Sequence, residues 1–206
     1  MAAHPPAVEL RGPLVDELTA FESLAEDFKF ALKAGLELKS RLPMEVMGVP
    51  LEKVDTVAYS LWISLAVAYG RCFKQGKRYA AARSLPTPPT LQLQQAHRDI
   101  LELRDEHLAH QPQESIGERN STRLIIEPFA LPQPKLTVHT VGVKATIAGN
   151  PMFLDPWIEL LRLRVDQTET RIGALMKEIG DLAAKNTADD LLKLASQGRP
   201  LRIERP

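Results

Sequence analysis

One cysteine, Cys72, leaves the chain without a partner for an internal disulfide, which excludes a small secreted scaffold held by crosslinks. The N-terminal MAAHPPAVELRG lacks the apolar segment of a signal peptide, and with the lone cysteine this sets the expectation of a cytoplasmic protein. Net charge is absent too. Lys plus Arg and Asp plus Glu are 26 each, so no global field draws the molecule to nucleic acid or an anionic surface, and any such attraction must be local. Long hydrophobic runs are missing. The most apolar charge-free stretch, Val57 to Tyr69, falls short of the roughly 20 residues that a bilayer-crossing helix needs, so it reads as a buried core helix and no membrane partner is expected. No GxxxxGK(S/T), GxGxxG after a strand or GxSxG occurs, which leaves nucleotide-binding and serine-hydrolase readings without support. There is no internal repeat.

What is present is helical periodicity. With 206 residues and 44% hydrophobic content the chain can bury a core, and the expectation is a single, mainly all-α domain over residues 1–198 with a flexible tail at 199–206. Leu14, Leu18, Phe21, Ala25, Phe28 and Leu32 recur at spacings of three and four, predicting a first helix over about 13–42 that opens on Pro13. Asp16, Glu17, Glu22, Glu26 and Asp27 place negative charge near its positive end. A second helix, about 52–74, is apolar nearly all round. Pro86, Pro88 and Pro89 make 75–90 a linker, and a third helix follows over 91–111, where Pro112 stops it.

The texture then changes. Two β-branched segments between prolines predict an inserted β-hairpin at about 122–143. Asp155-Pro156 reads as the start of a fourth helix, 155–185, whose Ile158, Leu161, Val165, Thr168, Ile172, Leu175, Ile179 and Leu182 form an unbroken seam available to a second helix surface. A last helix covers 188–196, before Gly198. The architecture expected is an antiparallel bundle of long helices.

Two features carry chemistry. On the third helix Leu93, Ala96, Ile100, Leu103, His107 and His110 form one stripe and His97, Leu101, Arg104 and Leu108 its neighbour, so an apolar face turns polar over the last turns. The plain alternative is a bundle end reaching solvent, with histidines at the negative end of the helix dipole. From Thr56 to Arg98 there is no acid, yet Arg71, Lys74, Lys77, Arg78, Arg83 and Arg98 are present. Such a local basic patch suits phosphate contacts that position a nucleic acid without reading it; a solvated helix end is the bland reading. Glu106-His107-x-x-His110 superficially resembles a zinc cluster, but His97 and His139 stand at no recognisable spacing for a third ligand, so no metal is expected.

Arg104-Asp-Glu-His-Leu-Ala-His110, with Tyr69-Gly-Arg-Cys-Phe73, Gly76-Lys-Arg78 and His97 upstream, resembles the HEPN superfamily, in particular the branch found among phage abortive-infection proteins. The resemblance covers residues 55 to 112 best. It implies an all-helical bundle that dimerises and cleaves RNA without metal or other cofactor, in a toxin or phage-defence role that calls for an antitoxin or regulatory protein as restraint. The implied chemistry is attack by the RNA 2′-hydroxyl on its own phosphodiester. His110 is the implied base or acid, Arg104 the phosphate ligand, Asp105 an orienting group and His107 a further catalytic candidate. Arg71, Lys74, Lys77, Arg78 and His97 are the implied RNA contacts. Glu106 departs from the pattern, standing where a basic residue is expected and opposing phosphate unless a neighbouring cation pairs with it. On one ideal helix positions 104 and 110 point about 120° apart and lie about 9 Å apart along the axis, so they share one phosphate only if the helix end deforms or a second chain contributes, as a dimer with facing motifs would. The alternative is a non-catalytic helical module that binds RNA or a partner protein.

Overall fold

Pro13, the first residue of helix α1 (Pro13–Arg41), follows Gly12, whose carbonyl accepts from Asp16 N at 3.0 Å and starts the helical ladder. The computed structural model describes residues 7–41, 56–74, 77–108, 119–127, 135–143 and 151–205. After strand β1 (Leu10–Arg11) and α1 come α2 (Thr56–Arg71), α3 (Lys77–Arg83), α4 (Leu91–Leu108), strands β2 (Arg119–Glu127) and β3 (Lys135–Val143), α5 (Pro151–Ala183), α6 (Ala188–Ser196) and β4 (Leu201–Arg202). The fold is mainly helical, as the periodicities predict.

The residues gather into two compact units. The second comprises Phe30–Arg71 and Pro88–Arg162. Its core is Leu38 of α1, Trp62, Leu65 and Tyr69 of α2, Leu93, Ile100 and Leu103 of α4, and Trp157, Ile158 and Leu161 of α5. The antiparallel pair β2–β3 belongs here, in register from Arg119 opposite Val143 to Glu127 opposite Lys135. It extends three residues further at its N-terminal end than the β-branched pattern marks, because register is a property of the pair rather than of one strand's composition.

The first unit comprises Met1–Lys29, Cys72–Thr87 and Leu163–Pro206. Leu14, Phe21, Leu24 and Phe28 of α1 are buried here, as are Ala81 and Ala82 of α3 and Leu175 and Ile179 of α5. α6 is capped by Thr187, whose Oγ1 accepts from Asp190 N at 3.2 Å. β1 and β4 pair in parallel: Leu201 N donates to Glu9 O and Ile203 N to Arg11 O, both at 2.8 Å.

Several expectations are corrected. The tail is not loose over 201–203: Leu201 and Ile203 alternate with exposed Arg202 and are buried, a period-two pattern too short to stand out in the sequence. The second helix ends at Arg71, three residues early. Cys72 and Phe73 turn away because the first unit's core takes them: Cys72 is buried against Asp27 and the Phe73 ring lies 6.1 Å from that of Phe28. The linker contains α3, since Tyr79 to Ala82 favour a helix and the prolines act only from position 86. α5 starts at Pro151, which leaves Pro156 inside it and gives Asp155 an ion pair with Lys39 (2.5 Å) instead of a capping role. The third helix is seen to Leu108; residues 109–111 lie outside the described set. Finally, the α5 seam is not a free surface. Ile158, Leu161, Thr168, Leu175 and Ile179 are all buried within this one chain, so the seam gives no ground for a second helix to dock.

Candidate functional site

α4 begins where the prolines end. Thr90 Oγ1 accepts from Leu93 N at 3.2 Å and Thr90 O from Gln94 N at 3.0 Å, so the cap fixes which face of the helix turns inward. Leu93, Ala96, Ile100 and Leu103 are the buried face, and the neighbouring stripe carries His97 and Arg104. Both meet the C-terminal end of α2 through adjacent residues. Tyr69, wholly buried, places its Oη 2.6 Å from His97 Nδ1, and the two rings meet edge to face with centroids 5.7 Å apart. Gly70 lies under the aliphatic stem of Arg104.

Arg104 is therefore set by packing before it is set by charge. Its side chain is only 23% exposed, and Nη1 donates to Asp105 Oδ1 at 2.6 Å. Asp105 is half exposed, so this pair is screened and worth at most about 1 kcal/mol; an incoming anion competes with it at little cost. His107 falls on the last turn of α4, and His110 lies outside the described residues. Among the described residues α4 thus carries two separate pairs, Arg104 with Asp105 and His97 with Tyr69.

The basic segment does not form one helical stripe. Spacings of three and four link Arg71, Lys74 and Arg78 only along a continuous helix, and α2 stops at Arg71. Arg71 belongs to the second unit; Lys74, Lys77 and Arg78 belong to the first. Arg78 is half-buried, and its Nη1 pairs with Asp27 Oδ2 at 2.9 Å. Asp27 itself is a correction: it lies deep in α1 rather than near its dipole, almost fully buried, with the Cys72 thiol also directed at Oδ2 from 3.8 Å.

Two polar residues of structural weight have partners that the sequence pattern does not assign. Arg164 is 3% exposed on α5; its Nη1 donates to Pro86 O and Gln167 Oε1, both at 2.8 Å, while its guanidinium lies 5.9 Å from the Phe73 ring centroid. Tyr69 is the other, and its need for a partner was the available signal: a buried tyrosine hydroxyl has to be satisfied, but composition does not say by whom.

Among the described residues no three or more His, Cys, Asp or Glu side chains gather as a metal site would require, and no helix is long and apolar enough to cross a membrane. No family model matches the chain, and neither the curated proteins nor the solved structures compared with it give a match.

Proposed function

We propose that this protein is a metal-independent endoribonuclease of the HEPN type, with a toxin or phage-defence role. The observation that supports the reading is Arg104. It sits at the head of the Arg104–His110 motif, with its stem packed on Gly70 and its charge held at an exposed edge by a carboxylate that a phosphate can displace. In the proposed reaction Arg104 binds the scissile phosphate and stabilises the charge that grows on it. His110, of the same or a second chain, moves a proton. Arg71, Lys74 and Lys77 carry further phosphate contacts.

The experiment is incubation of labelled single-stranded RNA with the protein in EDTA. Cleavage leaving a cyclic phosphate, lost in His110→Ala and in Arg104→Ala while helicity is kept, is the expected result. The double variant should be scarcely worse than either single one, since groups acting as one catalytic unit are not additive. One observation favours the rival, a non-catalytic helical module: the Arg104–Asp105 pair leaves the motif locally neutral. Retention of RNA without cleavage, unaffected by His110→Ala, would select that reading.

A further inference from the structure

Leu85, Thr87 and Pro88 each precede a proline, a place that pushes a residue out of helical geometry into extended or polyproline-II backbone, and each proline fixes its own φ at about −65°. Leu85 to Pro89 accordingly carries neither helix nor strand, and these biases make it a short polyproline-II strap. Such a helix has about three residues per turn, so positions three apart share an edge. Burial along the strap follows the same period. Leu85 is half-buried and Pro88 buried on one edge, whereas Pro86 and Pro89 on the next are exposed. Two carbonyls are tied down by the chain itself: Pro86 O accepts from Nη1 of the buried Arg164 at 2.8 Å and Pro88 O from Gln94 Nε2 at 2.9 Å. The strap is thus presented already ordered, which lowers the entropic cost of binding it. Three residues before Pro86 stands Arg83, the exposed last residue of α3, with its guanidinium 5.6 Å from the Tyr79 ring centroid. Among the described residues no carboxylate pairs with it, and no Asp or Glu occurs between Thr56 and Arg98.

We propose that Arg83 to Pro89 is a docking segment for a protein partner whose groove is lined by aromatic rings and edged by a carboxylate. A partner of that chemistry packs its rings on Pro86 and Pro89, about 9 Å apart along the strap, and pairs its carboxylate with Arg83. The run Arg83-Ser-Leu-Pro86-Thr-Pro-Pro89 supplies the cation and the two prolines at equal spacings of three. A stiff connection between two helices calls for prolines, but not for their exposure on a common edge or for an arginine in step with them. Phosphate would use Arg83 alone and gains nothing from two aliphatic rings. The docking role does not depend on the endoribonuclease reading and survives its failure.

The test is calorimetric titration of the full chain with a purified SH3 domain that selects the Arg-x-x-Pro-x-x-Pro pattern. So short a segment covers less than a standard interface, and the expected complex is saturable but quick to dissociate. Pro86→Ala and Pro89→Ala should each weaken it by about tenfold. Arg83→Glu, which sets a carboxylate against the partner's own, should weaken it at least as much. Arg98→Glu is an equal charge reversal at an exposed position of α4 outside the segment, and it should leave the affinity within about twofold. Arg83 is exposed and belongs to no core, so its variant keeps the test decisive should either proline variant melt early. No binding of the domain, or binding that the three segment variants leave at the parental affinity, overturns the proposal. Oligouridylate is titrated alongside. An Arg83→Glu chain that loses oligouridylate, while both proline variants keep it and none binds the domain, also overturns the proposal and makes the segment part of a phosphate surface.

Discussion

The β-carbon that Gly70 lacks would lie 2.6 Å from Cγ of Arg104 and 3.0 Å from its Cβ, so α2 and α4 meet at their present separation only because position 70 carries no side chain. Alanine favours a helix over glycine by about 1 kcal/mol, but forcing extra volume into a packed contact costs typically 1–3 kcal/mol. Gly70→Ala should therefore lose stability by roughly 1 kcal/mol in urea denaturation. Gly173→Ala, where nothing lies within 4 Å of the added carbon, should gain up to about 1 kcal/mol. In the Gly70→Ala background, shortening Arg104 to alanine should recover part of the loss, with a coupling of about 0.5–3 kcal/mol. Simple additivity of the two substitutions would show that the arginine stem does not occupy this contact.

Asp27 and Arg78 are unequal partners, because the carboxylate is buried and the guanidinium is only half so. Replacing Arg78 with glutamine withdraws the cation from a carboxylate that stays buried. Replacing Asp27 with asparagine removes the buried charge itself while keeping an acceptor for Arg78 and for the Cys72 thiol. Arg78→Gln should thus cost the more, roughly 1.5–3 kcal/mol before discounting for the exposed side of the pair. Chemical denaturation of the two variants decides it, and an equal or reversed order would refute the asymmetry. A fall in RNA affinity for Arg78→Gln would then measure damaged folding rather than a lost phosphate contact.

How much of this was legible beforehand follows from the range over which each signal acts. Helix identity is local: the three-four stripe of α1 and the extent of α6 are set within a few residues, and both helices are found where the pattern puts them. Ends set by tertiary burial are not local. Nothing in Tyr69-Gly-Arg-Cys-Phe73 says that Cys72 and Phe73 will be taken into a core containing Phe28, which is what stops α2 at Arg71 and removes the basic stripe. The α5 seam is periodic whether its partner lies within the chain or in another one, so periodicity could not choose between them. At the candidate site, the co-facial spacing of His97 and Arg104 was readable from the α4 stripe. The tie to Tyr69 was not, since it joins residues 28 apart in sequence.

The clasp between the chain's two terminal segments should open with acid. Arg205 forms two hydrogen bonds with Glu178, from Nε to Oε1 at 2.7 Å and from Nη2 to Oε2 at 3.1 Å, and lies 3.7 Å from Glu17 of α1. The bond to Arg205 holds the Glu178 carboxyl below its ordinary value of 4.5. A carboxyl lowered in the folded state adds stability that is complete above the unfolded value and vanishes as pH falls through the folded one, so the clasp weakens in the acidic range below 4.5 and not above it. Glu9 is lowered in the same direction by Arg11, but that partner stands two residues away in the same N-terminal segment, and the pair survives when β4 leaves. The exchange rates of the Leu201 and Ile203 amides, corrected for intrinsic pH dependence, report the opening directly, because these amides bond Glu9 O and Arg11 O. Both should keep their protection down to about pH 4.5 and lose it as the pH falls further, while the α1 core keeps its own. Glu178→Gln should remove this pH dependence and Glu9→Gln should leave it, whereas Gly12→Ala should open the clasp at every pH. Gly12 has φ 131°, and a β-carbon there would stand at a prohibitive 2.2 Å from Ile203 O, a backbone atom with no side-chain freedom to yield. Protection that stays constant down to about pH 3, or a Glu178→Gln protein that still loses it with acid, would place the latch elsewhere than at Arg205.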